Sequence, residues 1–126
     1  MSAFSDYAEL KILDHMCGVA TWTAPTGVYV KLHVGAPGEA GTANAAAETT
    51  RKQATFGSAA AAGSISNTVK IEWTNVSTSE TYSHISLWDH VSAGNCLMTA
   101  ALTAPKAVTA GDNASIAIGA LVLSVA

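Results

Sequence analysis

An antiparallel β-sandwich with one N-terminal α-helix is the fold class this sequence predicts. Three observations predict it: a helical period confined to about residues 5–17, a switch to period two after Gly18, and turn residues set between seven or so short apolar runs. Strands in succession, with no helices alternating between them, argue against a βαβ fold.

In the first element Tyr7, Leu10, Leu13 and Cys17 recur at helical spacing, and Ile12 and Met16 widen the stripe. Ser5 is placed to cap the start, Asp6 and Glu9 suit the positive end of the dipole, and Gly18 supplies a left-handed stop. Such a helix packs over an edge or end of the sheet; the alternative is docking on a neighbouring subunit. His15, on the outer side, complements the C-terminal end of the dipole.

Beyond Gly18, Val28, Val30, Leu32 and Val34 alternate with Tyr29, Lys31 and His33, which predicts a half-buried strand. Gly35, Pro37, Gly38 and Gly41 end it in a long loop over about 36–52, a segment of the kind that binds something, orders upon assembly or stays mobile. A short strand is expected over 53–58. A clearer one spans 67–74, with Val69, Ile71 and Trp73 inward and Lys70 and Glu72 outward. Residues 82–89 alternate Ile85 and Leu87 with His84, Ser86 and Trp88, and a loop over 89–95 leads into a strand over 96–102. Strands over 106–109 and 114–118 flank Gly111, Asp112 and Asn113, which have tight-turn chemistry. The closing run 121–125 is apolar at Leu121, Val122, Leu123 and Val125, which predicts cover on both faces.

At 126 residues a single domain, 1–126, is expected. Nearly half the residues are hydrophobic, but much of that share is alanine, and only 12% are charged. Low charge leaves uncharged surface suited to subunit packing, so the composition points to a homo-oligomer. The net charge of −3, with six scattered Lys and Arg, offers no stripe to neutralise phosphates and argues against nucleic-acid binding. No apolar run approaches the roughly 20 residues of a membrane span. The opening Ser2, Phe4, Asp6 and Glu9 lack the pattern of a secretory signal, which predicts synthesis and assembly in a cytoplasm. There, Cys17 and Cys96 are expected as two buried thiols.

No catalytic motif is recognisable: the nucleophile elbow, the zinc-protease helix and the phosphate-binding glycine loops are all missing. His84 and His90 share one strand face, but at a rise of about 3.3 Å per residue they lie about 20 Å apart and cannot share a metal ion. No enzyme activity, metal or cofactor is therefore expected. Trp73 reads as core. Trp88, with His84 and Tyr82, is a candidate glycan or subunit contact, set against a ring that closes over the end of the core or an oligomer seam.

The segment Phe4-Ser5-Asp6-Tyr7 with Glu9, Lys11-Ile12-Leu13-Asp14-His15 and Gly18 resembles the opening of small virion structural or tail-fibre-like proteins of tailed bacteriophages. Downstream, Trp22-Thr23-Ala24-Pro25-Thr26, Val28-Tyr29-Val30, the 36–41 loop, the 84–89 strand and Ala101-Leu102-Thr103 with Lys106, Val108, Gly111 and Asp112 extend the likeness across nearly the whole chain. The sequence departs from that pattern at 45–51, where Ala45-Ala46-Ala47-Glu48-Thr49-Thr50-Arg51 replaces a glycine-rich bridge and an aromatic. The resemblance implies a virion component with no catalytic residues to carry over, and a trimer as its oligomer. Because one domain accounts for the chain and leaves nothing for a shaft, the expected role is capsid decoration, or cement, on the outer coat lattice. The alternative is a fibre-like head binding a host surface glycan. Phe4, Glu39, Arg51 and Lys52 are the expected contacts with the major capsid protein.

Overall fold

A computed structural model describes residues 2–58 and 63–124. The chain runs β1 (Ser2–Phe4), α1 (Asp6–Met16), β2 (Val28–His33), β3 (Lys52–Ala54), β4 (Ser64–Ser66), β5 (Ile71–Trp73), β6 (Glu80–Trp88), β7 (Cys96–Val108), β8 (Ala114–Ile116) and β9 (Val122–Ser124). All the strand pairs are antiparallel. Five strands form one sheet in the order β1-β7-β6-β2-β3, and two ribbons, β4–β9 and β5–β8, complete the sandwich-like body. This is the mainly β, one-helix architecture that the period switch predicts.

The core lies where the sheet meets the ribbons. Val30, Leu32, Ile85 and Leu87 from the sheet join Ile71, Trp73, Ala114 and Leu123 from the ribbons in one buried cluster. Period two explains the sheet's share, because Val30 pairs with Leu87 and Leu32 with Ile85 in register and all four point to the same side. Trp73 is 1% exposed, and its indole N–H donates to the Thr50 carbonyl at 2.8 Å, which satisfies the ring's only donor.

Several expectations are corrected. Residues 2–4, expected only as a segment before the helix, form β1 at the sheet edge, with Phe4 opposite Met98. The strands expected at 96–102 and 106–109 are one strand, β7, which accompanies β6 along its length through two register shifts. Val69 is 53% exposed because β5 begins only at Ile71. Residues 67–69 instead form a turn around buried Asn67, whose Nδ2 donates to the Val69 and Ala117 carbonyls and whose Oδ1 accepts from Leu121 N–H. In the closing run Leu121 and Leu123 are buried but Val122 is 53% exposed, so β9 is covered on one face; Val125 lies outside the described residues.

Helix α1 forms as its caps dictate. Ser5 is its N-cap, and Ser5 Oγ accepts from Ala8 N–H at 3.1 Å. Gly18 takes φ +74° after the Cys17 C-cap. The face it buries is not the expected one. Ala8 is its only buried residue, whereas Leu10, Leu13 and Met16 are 64%, 56% and 74% exposed. Cys17, expected as a buried thiol, is exposed, and Cys96 alone is buried.

Candidate functional site: the Trp88 cluster and the α1 face

The second face of the sheet, made polar by period two, is where the sequence placed Lys31, His33, His84, Ser86 and Trp88. It is roofed over. The segment between β2 and β3 folds back onto it and is tied down along its length: Val34 N–H donates to Asn44 O, Ala46 N–H to Leu32 O, Ala43 N–H to Pro37 O, and Ala47 N–H to the Glu80 carboxylate. Gly41 shows how closely it packs. Its φ is +71°, and a Cβ there would collide with Cys96 Sγ and press on the Trp88 ring. The loop expected to bind or to order on assembly is in this chain a lid on its own sheet.

Under that lid runs a chain of hydrogen bonds. Trp88 Nε1 donates to Ser86 Oγ at 2.7 Å, Ser86 Oγ lies 2.7 Å from His33 Nε2, and His33 Nδ1 lies 2.9 Å from the Ala43 carbonyl. Since a carbonyl can only accept, Nδ1 carries the proton, Nε2 accepts from the Ser86 hydroxyl, and Ser86 accepts from the indole. Each group is satisfied once with the imidazole neutral. Burial lowers the His33 pKa, outweighing the hydrogen bond to Ala43 that would raise it. A serine hydroxyl against an imidazole has the look of a nucleophile and its base, but His33 and Ser86 are both 0% exposed and a backbone carbonyl stands where an orienting carboxylate would. The pair packs the sheet to its lid.

Trp88 is 7% exposed. The Arg51 guanidinium sits 4.0 Å from its ring centroid and donates to the His90 and Ala93 carbonyls at 2.9 and 2.7 Å, fastening the 89–95 loop over the indole. Cys96, beneath, has its thiol pushed up to about 11 by burial, with Arg51 pulling the other way. Tyr82 is 1% exposed and turned into the ribbon-side core, because a register shift separates it from His84. Its hydroxyl is the one buried side-chain polar atom without a hydrogen-bond partner among the described residues. Burial raises its pKa. Of the candidate glycan contacts, only His84 keeps part of its surface, so the three form no open aromatic platform.

The expected coat contacts are also dispersed. Phe4 is half-buried against the core and lines an apolar hollow of about 240 Å³ with Trp22, Phe56 and Leu97; Arg51 is engaged with Trp88, and Lys52 is half-buried in β3. Glu39 is exposed at the N-terminal end of α1, where Asp6, through a hydrogen bond and its charge, raises the Glu39 pKa, with Glu9 adding to it. Among the described residues no three His, Cys, Asp or Glu side chains are grouped to hold a metal ion.

The face of α1 is open on the surface. Among the described residues, four of the nine large apolar side chains that stand exposed fall between residues 10 and 19: Leu10, Leu13, Met16 and Val19. They stand one turn apart along one side of the helix and past its end. The helix is held from the opposite side: Ser5 N–H donates to Leu97 O, Ser5 Oγ donates to Cys96 O, and Ala8 packs inward. Ala8, the cap and half-buried Tyr7 hold the helix to the body, leaving Leu10, Leu13 and Met16 outside.

The family model for Podophage GP4 fiber I protein gp80 matches residues 3–124. The chain belongs to that family. The match covers the sheet, both ribbons and α1, so the likeness read from the opening block extends to the whole fold, and it makes the chain a fibre-like virion structural protein of a bacteriophage. No curated protein matches the chain. The site residues that sequence reasoning missed are His33 in its bond to Ser86 and Arg51 in its stacking role. Arg51 and Trp88 lie 37 positions apart with no local pattern to join them.

Proposed function

We propose that the chain is a non-catalytic subunit of a virion fibre or related surface appendage, working through contacts with copies of itself and with neighbouring virion proteins. The observation that carries this is the family match over 3–124, joined to a body that buries Trp88, His33 and Ser86 of its polar sheet face and leaves Leu10, Leu13, Met16 and Val19 exposed on and just past one helix. The Ser86–His33 pair is sealed from any substrate, which supports a role without bond-making. A homo-oligomer is part of this reading, with the trimer of the family resemblance as its form.

The fibre placement takes its support from the matched family's own description. Capsid decoration is the second reading, favoured by the closed sandwich-like core, which suits a subunit repeated over the coat lattice where weak contacts add up. Copies per particle separate them. Quantitative mass spectrometry of purified virions, with antibody labelling in electron micrographs, gives a few to a few dozen copies at the tail for a fibre and hundreds over the shell for decoration. A chain missing from purified particles contradicts both.

A further inference from the structure

We propose that His33 is a proton-operated latch: with its ring neutral it holds the segment 36–45 over the sheet face that carries Trp88, and on taking up a proton it releases that segment while the sandwich stays folded. The latch acts within one chain, so it does not depend on whether the chain serves a fibre or the coat.

The bonds that tie the segment to β2 gather around this one residue. His33 faces Ala45 in a single antiparallel bridge, made by Ala46 N–H to Leu32 O and Val34 N–H to Asn44 O, and its ring adds Nδ1–H to Ala43 O at 2.9 Å. Past the bridge the chain is anchored independently, by Ala46 in the core cluster and by Ala47 N–H on the Glu80 carboxylate. No residue of 36–45 belongs to that core cluster, so lifting the segment costs none of its packing.

The ring fits its place while neutral. Nε2, 2.7 Å from Ser86 Oγ, accepts the hydroxyl proton, and Ser86 Oγ accepts from Trp88 Nε1 at 2.7 Å. A second proton on the ring makes Nε2 a donor aimed at the Ser86 proton, in a site where His33 and Ser86 are both 0% exposed. The hydroxyl then has to turn away from its acceptor, and the new charge meets no counter-ion. The charged groups that act on the ring are Lys31 on its own strand and His84 opposite it on β6; both oppose the charge, and no carboxylate is among them. Arg51, against the Trp88 ring, is a further cation on this face. From the segment itself, Glu39 is turned to Asp6 and Glu9 of α1, and acid acts there in the opposite sense, neutralising Glu39 and easing its repulsion from them. A buried charge without a partner gains most by reaching water, and water reaches His33 when the covering segment lifts.

Cys96 reads the opening. Gly41 lies so close to its thiol that a Cβ there would collide with Sγ, and Cys96 is 5% exposed whereas Cys17 stands exposed. The full chain is treated with a dipyridyl disulfide from about pH 7 to about pH 5, above the ordinary carboxylate range. Mass spectrometry gives the ratio of Cys96 to Cys17 modification, and ring NMR follows the protonation of His33 and His84 in the same samples. Expected is a ratio that rises about tenfold per pH unit below about pH 6.5 and levels off where the His33 ring titrates, with amide protection in β5 and β8 retained. His84→Gln and Glu39→Gln keep the rise, and His33→Gln, with nothing to titrate at that position, gives one ratio at every pH. A His33 ring that stays neutral throughout, a flat ratio while it takes up its proton, a rise that follows His84 or persists in His33→Gln, or protection lost from β5 and β8 along with the rise would overturn the proposal.

Discussion

The five-stranded sheet and helix α1 carry comparable apolar residues and use them in opposite ways. On the sheet, Val30, Leu32, Ile85 and Leu87 are each under 4% exposed, and on the polar face Trp88, His33 and Ser86 are covered too, by the Arg51–Trp88 stack and the His33–Ser86 bond. On the helix, Leu10, Leu13 and Met16 stand in solvent while Ala8 makes the inward contact. The difference teaches that the apolar residues that hold the fold together and those left in solvent lie in separate regions. The sheet holds the fold, and the helix, fixed by its cap, presents a surface.

Substitutions should divide along the same line. Trp73→Ala removes a fully buried indole and leaves Thr50 O without its donor, so chemical denaturation should show a loss of about 3–5 kcal/mol. A loss below 1 kcal/mol would mean that the ribbon side is not the core. Ser5→Ala strikes the joint between the two regions: Ala8 N–H loses its acceptor and the Cys96 carbonyl its donor. A cost of about 1–2 kcal/mol is expected, with amide exchange rising in α1 before the sheet. Uniform acceleration across the chain would show that helix and sheet open as one unit.

Acidification probes the sealed face through His33. Because the folded state keeps the His33 pKa below the ordinary 6.5, the unfolded chain takes up a proton that the folded chain resists. Stability that is fully present above about pH 6.5 is lost as the pH falls through the folded value. The thermal midpoint should therefore drop between pH 7 and 5.5, and His33→Gln should flatten the slope. A midpoint that rises over this window in the wild type would contradict a neutral buried imidazole. The smallest effect is expected at Leu13→Ala, within about 0.5 kcal/mol in the dilute chain, because its side chain has little native packing to lose.

Much of this division is legible in the sequence as pattern, and the rest is not because it depends on partners distant along the chain. The cap at Ser5, the stop at Gly18 and the strand alternations at 28–34 and 82–89 are local signals, and the structure places elements at each, β2 stopping at His33 with Val34 exposed. Period two also assigns Trp88 to the right face of β6. It cannot say that residues 36–51 fold back over that face, since nothing between Arg51 and Trp88 encodes their meeting. Likewise a stripe at helical spacing announces an amphipathic helix without saying whether the apolar side meets its own sheet or another molecule. Ala8, too small to stand out in a hydrophobicity pattern, decides that question.

The two cysteines allow the most direct test, because one belongs to each region. Maleimide labelling, read by mass spectrometry in the free chain and in intact virions, should modify Cys17 quickly when the chain is free and slowly when it is assembled. Cys96, buried and with its thiol pushed up to about 11, should resist in both states. Equal labelling of Cys17 in virions and in solution, or Cys96 reacting first in the free chain, would contradict the account of a closed sheet that presents its helix for assembly.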